Sequence, residues 1–167
     1  LNQETDWKAA IIKAKKLYQE TIKNNLRLNK NKNLLASYYL RYVEIFYLFS
    51  EFEYGYTVVK KLLKHIKYIS GLYTFVDAHL YSSVIATSIY ESLPNKEKRF
   101  VLNLVKKSLK IIRQAMKSCP QNYSHQYYYL LAEYYKITKN YQKAKLTYDK
   151  AIEVSLNNKI IYNAAFS

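Results

Sequence analysis

Residues 125–158, HQYYYLLAEYYKITKNYQKAKLTYDKAIEVSLNN, decide the fold. Tyr128, Leu131, Ala132 and Tyr135 recur at a spacing that places them on one side of a helix. Ala144, Tyr148 and Ala151 follow at helical intervals on a second helix, and Asn140 with Tyr141 leaves only a short turn between the two. Helices joined this tightly run antiparallel and cross closely. A close crossing needs side chains without bulk where the backbones approach. Ala132 and Ala144 admit the partner helix, while Tyr135 and Tyr148 fill the space beside them.

This order of bulky, apolar, small and aromatic positions resembles the tetratricopeptide repeat, a helical hairpin of about 34 residues. Leu156 stands where many such repeats carry a helix-ending proline. The same template moved back 89 positions puts Tyr39, Tyr42, Phe46, Phe52 and Gly55 on aromatic and small sites, with Val59 and Leu62 replacing the later aromatic and alanine. Residues 34–69 are therefore read as a degenerate repeat. Gly55 has two readings there, a small packing residue or a turn glycine.

The rest of the chain extends the pattern. Asp6 is placed to cap a first helix, on which Ala9, Ile12, Leu17 and Ile22 recur, and the polar run Asn29 to Asn33 reads as a loop. Leu34 to Phe49 is apolar on almost every side, as a helix packed on more than one face would be. Glu53 to Ile69 is amphipathic, with Val58, Val59, Leu62, Leu63 and Ile66 opposed to Lys60, Lys61, Lys64 and Lys67, and Gly71 supplies its stop. Thr74 to Tyr90 ends at Pro94 and the charged stretch Asn95 to Arg99. Phe100 to Met116 turns Val101, Leu104, Val105, Leu109 and Ile112 inward and Lys106, Lys107, Lys110 and Lys117 outward before the break at Cys119 and Pro120. Helices over Tyr123 to Thr138 and Tyr141 to Leu156 complete the hairpin, and a last one opens after Asn158. With two glycines and two prolines in 167 residues, the turns that strand hairpins need are scarce. The expected fold is all-α: antiparallel helical hairpins stacked as a tetratricopeptide-like right-handed solenoid of about seven to eight helices. One helical-repeat segment covers 1–167, with a hairpin at 70–118 and the best repeat at 125–158. The chain opens on Leu1 rather than methionine and is read as a piece of a longer protein.

The formal charge is +15. A basic balance is the usual footprint of a nucleic-acid or anionic-membrane partner. Lys, Asn, Ile and Tyr are over-used together, however, as codons poor in G and C would dictate, and arginine occurs only at Arg27, Arg41, Arg99 and Arg113. Clustering of lysines on one face favours a polyanion partner; even scatter favours codon bias. From the sequence they are spread over several helices. Lone Cys119 rules out an internal disulfide framework and a cysteine-built zinc site, which points to a reducing, cytoplasmic setting. No apolar run reaches the ~20 residues of a membrane span, and no signal-peptide order is seen at the N-terminus.

From Gly71 onward the chain is similar to one stretch of very large bacterial signalling proteins. The residues that carry this are the Cys119, Pro120, Asn122, Tyr123, His125 and Tyr127 run, then Ala132 and Glu133, then Tyr148, Asp149, Ala151, Ile152 and Glu153, then Asn158 and Ala165. Thr74, Asp77, Tyr81 and Ser83 fit the preceding helix, and Phe49 to Phe52 fits its hairpin turn more loosely. In that family a serine/threonine-kinase-like domain and an ATPase module precede such helices, and sensor and histidine-kinase domains follow them. The resemblance implies a connector and interaction region, because the nucleotide-binding and phosphotransfer motifs lie in the neighbouring domains.

Catalytic signatures are missing from the sequence. It has no glycine-rich phosphate loop, no nucleophile elbow and no zinc-protease histidine pair. His65, His79 and His125 lack ligand spacing, so no metal and no cofactor is expected. Cys119 reads as a packing residue, and Asp77 and His79, two apart, point to different faces of their helix. The Tyr127, Tyr128 and Tyr129 triple, flanked by Lys136 and Lys139, invites a single-stranded nucleic-acid reading. Successive helical residues fan out by about 100°, however, so the three rings cannot form one platform. The leading expectation is a non-catalytic scaffold for protein–protein interaction and signal transmission, with Lys60, Lys64, Lys106, Lys110 and Lys143 biasing it toward acidic partners. The alternative is a basic helical module binding nucleic acid or another polyanion.

Overall fold

The structure, a computed structural model, describes residues 3–25, 30–71 and 73–158, and seven α-helices lie among them. They are α1 (Gln3–Asn24), α2 (Lys32–Leu48), α3 (Phe52–His65), α4 (Thr74–Ser88), α5 (Asn95–Ser118), α6 (Pro120–Ile137) and α7 (Tyr141–Asn157), with single 3₁₀ turns at Ile66–Ile69 and Tyr90–Ser92. The chain divides into two compact units, Leu1–Leu72 and Tyr73–Ser167. The expected all-α class is observed. Within each unit, helices adjacent in the chain pack on one another, as in a helical-repeat or solenoid-like bundle.

In the first unit α2 packs antiparallel on α3. Tyr39 lies 5.8 Å from the His65 ring at one end of the pair and Phe46 lies 4.9 Å from Tyr54 at the other. Val43, Phe46, Val58, Val59 and Leu62 are sealed between the helices, and full burial of each such side chain contributes roughly 1.5–3 kcal/mol. Helix α1 joins them through rings. The Tyr18 ring lies within 6.4 Å of Tyr38, Tyr39, Tyr42, Phe46 and Tyr54. Burial pushes the Tyr38 phenol up to about 12 and raises Tyr18 further. Lys15 ties α1 to the start of α3 through a 2.6 Å ion pair with Glu51.

In the second unit α4 and α5 run antiparallel, as do α6 and α7. Asn158 at the end of α7 reaches back to the Gln121 carbonyl at the start of α6, 2.9 Å away. Helices α4 and α6 run parallel to each other: Gln126 donates to Asp77 near their first turns, and Thr87 donates to Glu133 farther along. The first helices of two successive hairpins therefore share a layer. Helix α4 is buried on nearly every side, including at His79, Ser82, Ser83 and Thr87.

The hairpin turns at the ends of α2 and α6 are built alike and without glycine. Ser50 (φ 56°) and Lys139 (φ 62°) each occupy the left-handed region. Around them Ser50 N donates to Tyr47 O and Glu51 N to Phe46 O, while Lys139 N donates to Lys136 O and Asn140 N to Tyr135 O. Both are Schellman closures, which satisfy the orphan carbonyls of the ending helix. They lie 89 residues apart, the same offset that relates the two repeats in sequence. Gly55 and Ala144 are equivalent too: each is buried, and each donates its N–H to the carbonyl of the following helix's N-cap, Glu51 or Asn140. Gly55 is thus a buried helical residue, and its turn-glycine reading is set aside.

Several boundaries differ from expectation. Helix α1 begins at Gln3, so Asp6 lies inside it rather than capping it. Its buried face carries Ile11 and Tyr18, and Ile12 is 66% exposed, because Tyr18 is drawn into the ring cluster. Asn31 caps α2 by accepting from Leu34 N at 3.1 Å, which draws Asn33 out of the loop and into the helix. Helix α5 starts at Asn95, since Pro94 cannot donate a backbone hydrogen bond but accepts one from Lys98 N at 3.0 Å. Gly71 does not stop α3 by a left-handed turn; the chain tightens into the 3₁₀ turn Ile66–Ile69 instead. The helix expected after Asn158 lies outside the described residues.

Non-glycine residues held at positive φ cost roughly 1 kcal/mol. Ser50→Gly and Lys139→Gly are each expected to raise unfolding stability by about 0.5–1 kcal/mol in urea titration, with an unchanged m-value. A loss of stability in both would show that these turns are not left-handed.

Candidate functional site

The repeat-packing residues group on the α6–α7 hairpin. Ala132, Ala144 and Ala151 are buried where the helices meet, and Tyr128, Leu131, Tyr135 and Tyr148 are half-buried around them. Tyr148 stacks obliquely on Tyr129 at 6.2 Å, and Lys143 lies 5.9 Å over the Tyr135 ring. Tyr127 and Tyr128 meet edge to face at 5.5 Å. All three rings of the tyrosine triple are therefore half-buried in packing contacts.

A polar seam runs through the core of the second unit, and sequence reasoning missed it. Ser83 Oγ donates to Ser108 Oγ at 2.8 Å, and Ser108 Oγ lies 3.1 Å from His79 Nδ1. The other ring nitrogen, Nε2, has no hydrogen-bond partner among the described residues. A serine beside an imidazole is the core of a nucleophile pair. Here His79 is 1% and Ser108 0% exposed, so the pair is closed to any reactant and ties α4 to α5. Burial, then the Lys107 ammonium, lowers the His79 pKa to about 4; burial lowers His125 as well. Asp77 faces α6 and His79 faces α5, as their spacing requires.

Farther along the seam Glu133 is a hub. It is 4% exposed and accepts from Thr87 at 2.9 Å, from Lys136 at 2.7 Å and from the Tyr148 hydroxyl. One carboxylate thereby joins α4, α6 and α7. Its signal in the sequence was an acid one residue past Ala132, on the inward side of the helix.

The basic residues are spread over the helices, as the sequence suggests, with one exception. Lys60 and Lys64 lie exposed on α3, Lys106 and Lys110 on α5, and Lys143 on α7, so the five are spread over three helices in two units. On α5, however, Lys96, Arg99, Lys106, Lys107, Lys110, Arg113 and Lys117 are all exposed. At about 100° per residue they fall within an arc of about 120°, shared only with Asn95, Asn103 and Gln114. The single acid of α5, Glu97, lies outside it. None of the seven forms an ion pair among the described residues. Like charges three or four residues apart repel by about 0.2–0.5 kcal/mol per pair. Helix α7 intersperses its lysines with Asp149 and Glu153, including a 2.9 Å Lys150–Glu153 pair. Codon bias acts on both helices alike and does not explain the difference.

Among the described residues there is no cluster of His, Cys, Asp or Glu fit to hold a metal ion, and no helix long and apolar enough to cross a membrane. Cys119 is half-buried at the joint between α5 and α6. Compared with protein-family models, curated proteins and solved structures, the chain matches none of them.

Two outcomes test the seam. An unfolded histidine binds its proton near pH 6.5 and folded His79 only near 4. Stability is therefore expected to fall by up to about 3 kcal/mol as pH drops through that window. His79→Leu should flatten this slope in urea titrations at stepped pH, leaving the part due to His125; an unchanged slope would refute the assignment. Glu133→Ala is expected to cost about 1–3 kcal/mol, because the bonds that Thr87, Lys136 and Tyr148 make to this buried carboxylate are lost together. A cost below about 1 kcal/mol, the worth of one ordinary hydrogen bond, would show that the hub is not formed.

Proposed function

We propose that this chain is a non-catalytic, tetratricopeptide-like scaffold, stacked as a right-handed solenoid, for protein–protein interaction. In this reading it transmits signals between the ATPase or kinase and the sensor domains of a large bacterial signalling protein. The observation that carries the reading is the duplicated hairpin: two Schellman turns of the same form, 89 residues apart, each followed by a buried small residue at the same position. The parallel α4 and α6 helices add to it, since successive repeats of a helical array stack their first helices side by side. Extended arrays of this kind present long surfaces, and half-exposed tyrosines on α6 offer large contact area at low entropic cost.

Co-purification of the full-length parent from its own cells at moderate salt, followed by cross-linking and mass spectrometry, tests this. Stoichiometric protein partners are expected, with cross-links on Lys136, Lys139 or Lys143 of the α6–α7 hairpin. Recovery of no protein partner would end the reading, and ATP hydrolysis by this chain alone would contradict its non-catalytic part. A second reading, polyanion binding, is favoured by one observation, the acid-free arc of α5.

A further inference from the structure

The outward face of α5 points to a partner of its own, separate from any protein bound by the hairpins. We infer that the arc from Lys96 to Lys117 is a sequence-independent binding surface for the phosphate backbone of duplex nucleic acid. At 1.5 Å per residue the arc is about 32 Å long, close to the ~34 Å of one duplex turn. It is held in place by the opposite face of the helix, where Val101, Leu104, Val105, Ser108 and Ile112 are buried. Its cations are therefore displayed on one side of a packed helix.

Three features choose among anionic partners. Centres of protein interfaces are enriched in aromatics and depleted in lysine, whereas this arc holds five lysines, two arginines and three amides and no apolar residue. Binding of single strands uses rings on which bases stack, and the only exposed ring on α5, Phe100, lies at the margin of the arc. Surface-bound membrane helices bury an apolar face in the lipid, and that face of α5 is already committed to the core. What remains is charge neutralisation along a regular polyphosphate, which releases counterions and requires no base contact.

The test is fluorescence anisotropy of the full chain with a labelled mixed-sequence duplex of about 20 base pairs at about 50 and 200 mM salt. The triple variant Lys106→Gln, Lys110→Gln, Arg113→Gln is compared with Lys8→Gln, Lys13→Gln, Lys143→Gln, which changes net charge equally at exposed sites elsewhere. The arc variant is expected to lose more than tenfold in affinity at the lower salt and to flatten the log–log salt slope by about 3, while the control changes less than about threefold. Circular dichroism of both variants checks that the fold is intact. Equal losses in the two variants would overturn the proposal, because binding would then follow net charge alone. It would likewise fall if the duplex did not bind at the lower salt, or if poly-glutamate or anionic vesicles bound the arc more tightly than the duplex.

Discussion

A helix can reverse direction within three residues only if one residue leaves the right-handed region, and in this chain that burden falls on Ser50 and Lys139. Everything in the hairpins follows from that constraint. The left-handed residue brings two backbone N–H groups onto the last carbonyls of the outgoing helix, and the next residue opens the incoming one. Because the turn geometry is fixed, so is the rotation of the second helix, which sets Gly55 in one hairpin and Ala144 in the other into the contact. Aromatic and branched residues then occupy the remaining space. Side chains of different size, such as Val43 and Ala132, are accommodated at equivalent positions because the turn, rather than the core, sets the frame.

Periodicity made the helices and the better hairpin legible. The apolar stripe of α5 and the small residues of α6 and α7 lie where spacing alone placed them. The misses share a physical origin. Tyrosine is amphipathic, so its count on a helix face does not tell which face is buried; Tyr18 is inside while Ile12 is out. Proline before a charged run read as a helix end, although Pro94 and Glu97 suit a first turn, where a missing N–H is harmless and an acid favours the dipole. The seam was hidden because histidine, serine and glutamate are buried only when partners tens of residues away satisfy them, and no local pattern reports such pairing. Spacing alone placed four cations of the basic arc, Lys106, Lys107, Lys110 and Lys117, on the outward side; Lys96 and Arg99 join them because the helix begins at Asn95 rather than Phe100.

The polar seam and the basic arc sit on opposite faces of α5 and have opposite requirements. Inside, the hydroxyls of Ser83 and Ser108 must be matched within a few tenths of an ångström, which favours one rotation of the helix over its neighbours in register. Outside, the cations need only a common direction, because electrostatic attraction to a polyanion tolerates lateral displacement. A seam that fixes rotation therefore also fixes where the positive field points.

Cys119 is the only residue between α5 and α6, with φ −145° and ψ 81°, and Pro120 next to it has its φ locked by its ring. So short a joint has almost no slack. The end of α5 and the start of α6 are therefore held within one residue of each other, and the two helices keep their packing partners close by tether as well as by contact.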